Sequence, residues 1–249
     1  INFSYSNLNF FSGTILSGMF SIALGTAFSQ KTSKNKDISI TVIGDGGMEE
    51  GICYETLNLA SLHKLPILFI CENNRTSVHT GIKDRTLSSN FKKKVKSFDI
   101  EYLHIKSDNL ENIFDDISKC VNKVRDKCMP IFVEFETFRI SGHVGPENDD
   151  EEFHYRDKDL EKWKNSNIFL DHIEKIKDKK KQNYLNKKFT TIEKNIKQSV
   201  IKAKKEKEMS FDKSMKLNFI KSFSKKINKF STPKKNFFGG QKETKLLPY

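Results

Sequence analysis

The sequence predicts an α/β fold: a doubly wound, mainly parallel sheet, with a helical, basic C-terminal extension. Three features predict it. Short apolar, β-branched runs stop abruptly at polar or glycine-bearing turns, as strands buried on both faces do. Segments with helical periodicity alternate with those runs, so strand, helix, strand recurs along the chain. Beyond Arg139 the texture changes to an acid-bearing loop, Ser141 to Arg156, and then to Lys-rich helical sequence from Asp159 onward.

The elements follow in order. From Ser12 to Ser29 small residues alternate with apolar ones, which suits a glycine-containing loop opening into a tightly packed helix. Ile38 to Ile43 is a continuous β-branched run that ends at Gly44, a parallel strand whose C-terminal end carries a site. Cys53 to Leu62 predicts a helix, with Gly51 near its start. Leu65 to Cys71 predicts a second buried strand, closed by the polar group Glu72-Asn73-Asn74. A further unit consists of a strand at Glu101 to Ile105, a helix at Leu110 to Val124 with Ile113, Ile117 and Val121 on one face, and a strand at Ile131 to Phe135. Residues 1–170 form the predicted α/β domain and residues 171–249 the extension, which from Phe211 on is basic and sparsely apolar, with Pro233 and Gly239-Gly240.

Composition narrows the function classes. The net charge of +12 would attract any polyanion, but Lys, Asn, Ile and Phe are over-used together, as an AT-rich coding sequence alone would produce. The tail has few interleaved aromatics and no nucleic-acid reader motif, so nucleic acid is not expected as a partner. Cys53, Cys71, Cys120 and Cys128 lack zinc or thioredoxin spacing, which points to a reducing compartment, a cytoplasm or an organelle matrix. The apolar runs, such as Pro66 to Cys71, fall well short of the roughly 20 residues a bilayer requires, so no membrane association is expected. Ile1 to Phe11 lacks the basic start and small-residue cleavage site of a signal peptide.

The chemistry is concentrated at two strand ends. A hard divalent cation beside a diphosphate takes a few oxygen ligands from protein and the rest from phosphate and water. Asp45 ends one predicted strand and Asn74 ends the next, with one helix between, so neighbouring parallel strands bring both to the same edge. Gly44 and Gly46 let the backbone approach a phosphate, and the amides of Gly46 and Gly47 offer donors to an anion. Glu49, Glu50 and Glu72 read first as acids favouring a helix dipole, and His63 as lying on a solvated helix face; Arg75 and Arg85 read as exposed loop arginines, with neutralisation of a phosphate or substrate carboxylate as the alternative.

Gly44-Asp45-Gly46 followed by Asn73-Asn74 resembles the thiamine-diphosphate signature of transketolase-like enzymes. The wider segment GDGGMEEGICYETLNLASLHKLPILFICENNR, Gly44 to Arg75, resembles the alpha subunit of the decarboxylating component of pyruvate and branched-chain 2-oxo-acid dehydrogenases. The resemblance covers Ser12 to Phe169 and is weak or absent beyond. It implies a thiamine-diphosphate-binding fold, with magnesium on Asp45, the Asn74 side chain and the Thr76 carbonyl, and with Gly44, Gly46 and Gly47 at the diphosphate. SGTILSG, Ser12 to Gly18, resembles the loop that holds the aminopyrimidine, placing Thr14 and Leu16 beside it; Ser17, Met19 and Ser21 stand where the family commonly has Gly, Gln and Pro. Arg139-Ile140-Ser141-Gly142-His143-Val144-Gly145-Pro146, followed by acids and Tyr155-Arg156, resembles the active-site loop, which implies that His143 reaches both the cofactor and the reacting centre. Ser141 stands where many relatives carry a further histidine.

The resemblance implies thiamine diphosphate and Mg2+ as cofactors and oxidative decarboxylation of a pyruvate-like or branched-chain 2-oxo acid. It also implies a beta-type subunit, or a fused beta domain, that supplies the activating glutamate in an alpha2beta2 assembly. A lipoyl acyltransferase core is a further implied partner. GGQKETKLLPY, Gly239 to Tyr249, looks like a lead-in to such a fused domain. The alternatives are a transketolase-like carboligating enzyme, a basic nucleic-acid-binding protein and a non-catalytic subunit.

Overall fold

The computed structural model describes residues 3–5, 9–106, 109–139, 142–144 and 168–207. Chain contacts divide the protein into two compact units, Ile1–Asn183 and Tyr184–Tyr249.

The first unit opens with a two-stranded antiparallel hairpin, β1 (Phe3–Tyr5) and β2 (Phe10–Ser12), which the sequence pattern does not predict. Helix α1 (Gly18–Thr32) follows. Strand β3 (Ser39–Gly44) runs into a single 3-10 turn, Asp45–Glu49, and then into α2 (Gly51–Leu62) and β4 (Ile67–Asn73). A small loop element comes next: β5 (Thr76–Ser77), β6 (Thr80–Gly81) and the one-turn α3 (Ile82–Arg85). Helix α4 (Phe91–Lys96), β7 (Glu101–Lys106), α5 (Leu110–Lys127) and β8 (Ile131–Glu136) complete the domain. The predicted strands and helices all form, with ends shifted by a few residues.

Four strands make one parallel sheet in the order β3-β4-β8-β7. The moves β3 to β4 and β4 to β7 carry α2 and α4 on one face, and the return move β7 to β8 carries α5 on the other, which keeps the crossovers of one hand. Each face therefore has its own core. On the first, Phe20 of α1 and Leu57 of α2 pack on Ile67 and Phe69 of β4, and Val95 of α4 joins them. A ladder of rings crosses the sheet there, Phe69 on Phe132 at 6.4 Å and Phe132 on Tyr102 at 6.3 Å between centroids, because those positions are in register. On the second face, Cys120 and Val124 of α5 cover Leu68, Ile105, Ile131 and Val133. The edge strand β3 alternates buried and exposed, with Ser39, Thr41 and Ile43 inward and Ile40 and Val42 outward.

C-terminal to the sheet lie two helices, Ile168–Lys175 and Lys179–Lys205. The Lys-rich helical sequence thus forms helix where it is described. Within the second unit, the described residues are the remainder of the long helix and its end, and Phe189, Ile192, Ile196 and Val200 along it are exposed. Among the described residues no helix is long and apolar enough to cross a membrane.

Candidate functional site

The parallel register decides what meets at the sheet's C-terminal edge. Gly44 pairs with Glu72, so Asp45, one residue on, is level with Asn73, and Asn74 begins the loop beside it. The expected convergence of Asp45 and Asn74 on one edge therefore holds, and it rests on backbone pairing. Asp45 is the first residue of the 3-10 turn and is 1% exposed.

A carboxylate buried that far requires compensation. Arg85, the last residue of α3, supplies it: Nη2 donates to Asp45 Oδ2 in a short contact, Nη1 donates to Glu49 Oε1 at 2.7 Å, and Nε donates to the Thr80 carbonyl at 3.1 Å. Burial pushes the Asp45 carboxyl above its ordinary value, while the hydrogen bond and charge of Arg85 pull it back. The expectation of an exposed Arg85 is thus corrected, because its side chain is only 10% exposed. Glu49 is corrected with it, from a helix-dipole acid to an ion-pair partner. No spacing rule could have announced this, since α3 is a single turn whose direction is set by the hairpin before it. Arg75 stays exposed, paired with Glu136 at 3.3 Å. His63 caps the end of α2 and packs edge-on against Phe28, with ring centroids 5.5 Å apart.

Successive side-chain turns shape the Asn loop. Asn73 Oδ1 accepts from the Arg75 amide at 3.0 Å, and Asn74 Oδ1 accepts from the Thr76 amide at 2.9 Å. Asn73 Nδ2 donates to Glu134 Oε1 at 2.8 Å, and the other oxygen of that carboxylate takes a short hydrogen bond from the Tyr102 hydroxyl. Burial and the Glu134 carboxylate together push the Tyr102 phenol up. Neighbouring strands β8 and β7 thus anchor the turn that presents Asn74. Sequence reasoning missed Glu134 and Tyr102, whose only signal is an acid and a phenol amid apolar strand residues. Arg75 and Val78 are left-handed, with φ of 62° and 51°. For a β-branched residue that is costly, and the Val78 carbonyl is fixed in place by Arg139 Nη2 at 2.6 Å.

Two of the three glycines on this turn leave little room for a side chain. A Cβ on Gly46 would lie 2.3 Å from Ser77 Oγ, and one on Gly47 would lie 2.2 Å from Ile43 Cδ1, whereas Gly44 has open space where a Cβ would go. Ser17 Oγ donates to the Gly47 carbonyl at 2.6 Å, which binds the loop before α1 to the Asp45 turn. Ser17 has φ 57°, the left-handed region that glycine occupies without steric cost. Thr14 and Leu16 stand on the same loop, both exposed.

His143 is exposed on a bend between Gly142 and Val144. The loop departs from β8 beside Arg139, which ties it to the β5–β6 hairpin. Ile140, Ser141, Gly145, Pro146, Tyr155 and Arg156 lie outside the described residues, as does Gly239 to Tyr249.

The arrangement suits a divalent cation bound with a diphosphate. Its donors are one deeply buried carboxylate, one amide oxygen with a lone pair beyond that used by Thr76, and a backbone carbonyl, all oxygen. Among the described residues no group of three His, Cys, Asp or Glu side chains could hold a metal, so a soft-metal cluster is not what this edge offers.

A family model, dehydrogenase E1 component, matches residues 1–213. The chain belongs to that family. The family is thiamine-diphosphate-dependent. The match runs past Phe169, where the motif resemblance was expected to fade, and takes in both C-terminal helices. The pyruvate dehydrogenase E1 component subunit alpha of Rickettsia bellii is 33% identical over 52% of this chain and 40% of its own length. The mitochondrial 2-oxoisovalerate dehydrogenase subunit alpha 1 of Arabidopsis thaliana is 25% identical over 67% of this chain and 35% of its own. The transketolase of Leishmania mexicana is structurally similar, with a TM-score of 0.44 and 19% identity over 51% of this chain and 20% of that one. The chain thus spans about two fifths of the length of the first of these relatives.

Proposed function

We propose that this chain is the cofactor-anchoring, alpha-type half of a thiamine-diphosphate- and Mg2+-dependent enzyme that oxidatively decarboxylates a 2-oxo acid of the pyruvate or branched-chain type. The observation that carries the reading is the β3–β4 register, which sets a buried carboxylate and the Asn73-Asn74 turn side by side at the sheet's C-terminal edge. Open α/β sheets bind ligands at that edge.

In this reading Asp45, Asn74 and the Thr76 carbonyl hold magnesium, and Gly44, Gly46 and Gly47 face the diphosphate. Thr14 and Leu16 flank the aminopyrimidine, and His143 comes to the reacting centre on its loop. When bound, thiamine diphosphate supplies the nucleophilic carbon and the electron sink that loss of carbon dioxide requires. The protein's contribution is positional. Glu134 and Tyr102 fix Asn73, and through it the turn that aims Asn74. Ser17 locks the aminopyrimidine loop to the diphosphate turn, so the two ends of one cofactor are held by one hydrogen-bonded unit. A beta-type subunit or fused domain supplies the remaining acid–base group, in an alpha2beta2 assembly that hands its product to a lipoyl acyltransferase core. The four free thiols suit a reducing cytoplasm or organelle matrix.

The test is calorimetric titration of thiamine diphosphate into the chain co-expressed with its beta-type partner. Binding is expected with magnesium, is lost on chelation, and is abolished by Asp45→Ala. Unchanged affinity in that variant would overturn the assignment.

A further inference from the structure

The cation-binding loop brings its own cation. Asn74 and Thr76 open the segment that ends, after the β5–β6 hairpin, at Arg85. The segment folds back on itself: the Ile82 amide donates to the Arg75 carbonyl at 2.9 Å, and Ile82 is buried. That closure delivers the guanidinium to Asp45, and all three of its nitrogens are engaged, with Asp45, Glu49 and the Thr80 carbonyl. Nη1 also lies 3.7 Å from where a Cβ of Gly46 would stand, on the turn assigned to the diphosphate.

A carboxylate 1% exposed is held as an anion only beside a counter-charge, and a magnesium ion and a guanidinium each provide one. Asp45 Oδ2 accepts a hydrogen bond from Arg85 Nη2. We infer that Arg85 is a resident counter-cation at the metal position, which neutralises Asp45 until an incoming divalent cation displaces it from that carboxylate. Glu49 is the second anchor, partly exposed, on which the guanidinium remains after displacement. The inference rests on the proposed metal site and adds a competitor to it. Its consequence is a loading threshold: the site takes up the cation only where the ion outcompetes an intramolecular salt bridge.

The experiment follows free Mn2+ by its aqueous paramagnetic resonance signal as it is titrated into the full chain assembled with its beta-type partner, with and without thiamine diphosphate. Arg85→Met is expected to bind Mn2+ roughly tenfold more tightly than the natural chain, as removal of a close competing charge predicts. It is also expected to melt at lower temperature without the ion and to recover with it. Glu49→Gln removes the anchor that holds the guanidinium after displacement and a negative charge near the site, so it should weaken Mn2+ binding. Arg75→Met removes the same charge from the same sheet edge and should change affinity less than twofold, by the weakness of exposed pairs.

Equal or weaker Mn2+ binding by Arg85→Met, or an equal gain in Arg75→Met, overturns the inference. If the natural chain meanwhile takes up Mn2+ with thiamine diphosphate in a manner lost in Asp45→Asn, the metal site stands and only the competitor falls. If neither the natural chain nor Arg85→Met takes up the ion under either condition, the metal site falls and the inference with it.

Discussion

Gly47→Ala is a perturbation whose cost can be worked from the geometry. The added methyl would lie 2.2 Å from Ile43 Cδ1 and 2.4 Å from Ile43 Cγ1, with Ser17 Oγ at 3.2 Å. Turning the terminal methyl alone relieves the first contact and not the second, so Ile43 must leave its rotamer or the turn must move away from β3. Ile43 is buried, 8% exposed, and has little room to do either. Overpacking of this kind costs about 1–3 kcal/mol, and a mid-range value of about 2 kcal/mol lowers the folding equilibrium roughly thirtyfold. For a chain of this size the melting temperature should fall by about 4–8 °C. The decisive assay is a double-mutant cycle by urea denaturation, because Ile43→Ala removes both clashing atoms. Ile43→Ala alone should cost about 2–5 kcal/mol, whereas adding Gly47→Ala to it should cost under about 0.5 kcal/mol. Strictly additive losses would refute the steric argument and leave the glycine without a packing reason.

Other outcomes follow from the same structure. Burial pushes the Cys53 thiol up to about 12, and the Cys71 and Cys120 thiols also rise. A thiol reagent at pH 8 should therefore label the partly exposed Cys128 first, and all four cysteines only in denaturant; rapid labelling of Cys53 in the folded chain would contradict its burial. The fold favours protonated Asp45, since burial raises its carboxyl above the ordinary value. Its contribution to stability is then greatest in acid and is lost as pH rises from the unfolded to the folded value. Divalent-cation affinity moves the opposite way, weakening as pH falls through the folded value. Urea midpoints measured across acid pH should show this component in the natural chain and lack it in Asp45→Asn. Ser17→Ala keeps the left-handed backbone and deletes the hydrogen bond to the Gly47 carbonyl, so it should cost about 1 kcal/mol in the same denaturation assay.

Much of the fold was legible because its signals are local. β3 and β4 announce themselves as β-branched runs that stop at Gly44 and at the Asn pair, and parallel pairing then forces Asp45 and Asn74 to one edge. What could not be read depends on where the chain goes after leaving the sheet. Arg85 looks like any loop arginine until the loop and the β5–β6 hairpin, with left-handed residues at Arg75 and Val78, turn it back onto Asp45. Glu134 looks like a lapse in an apolar strand until the order β4-β8-β7 places it between Asn73 and Tyr102. Ser17 looked like a departure from a family glycine; the positive φ explains why glycine is common there, and the bond to Gly47 explains what serine does instead. The short β1–β2 hairpin carried too few residues for a periodic pattern to emerge.

In the proposed site, Asp45 and Asn74 share one metal ion. Anomalous diffraction from crystals of the assembled protein grown with Mn2+ and thiamine diphosphate tests it most directly. A single strong peak is expected at the β3–β4 edge, roughly 2.0–2.2 Å from an Asp45 carboxylate oxygen and from Asn74 Oδ1, with the Thr76 carbonyl as a further ligand. A peak elsewhere, or bound cofactor with Asp45 still held by Arg85 and no metal between Asp45 and Asn74, would contradict it.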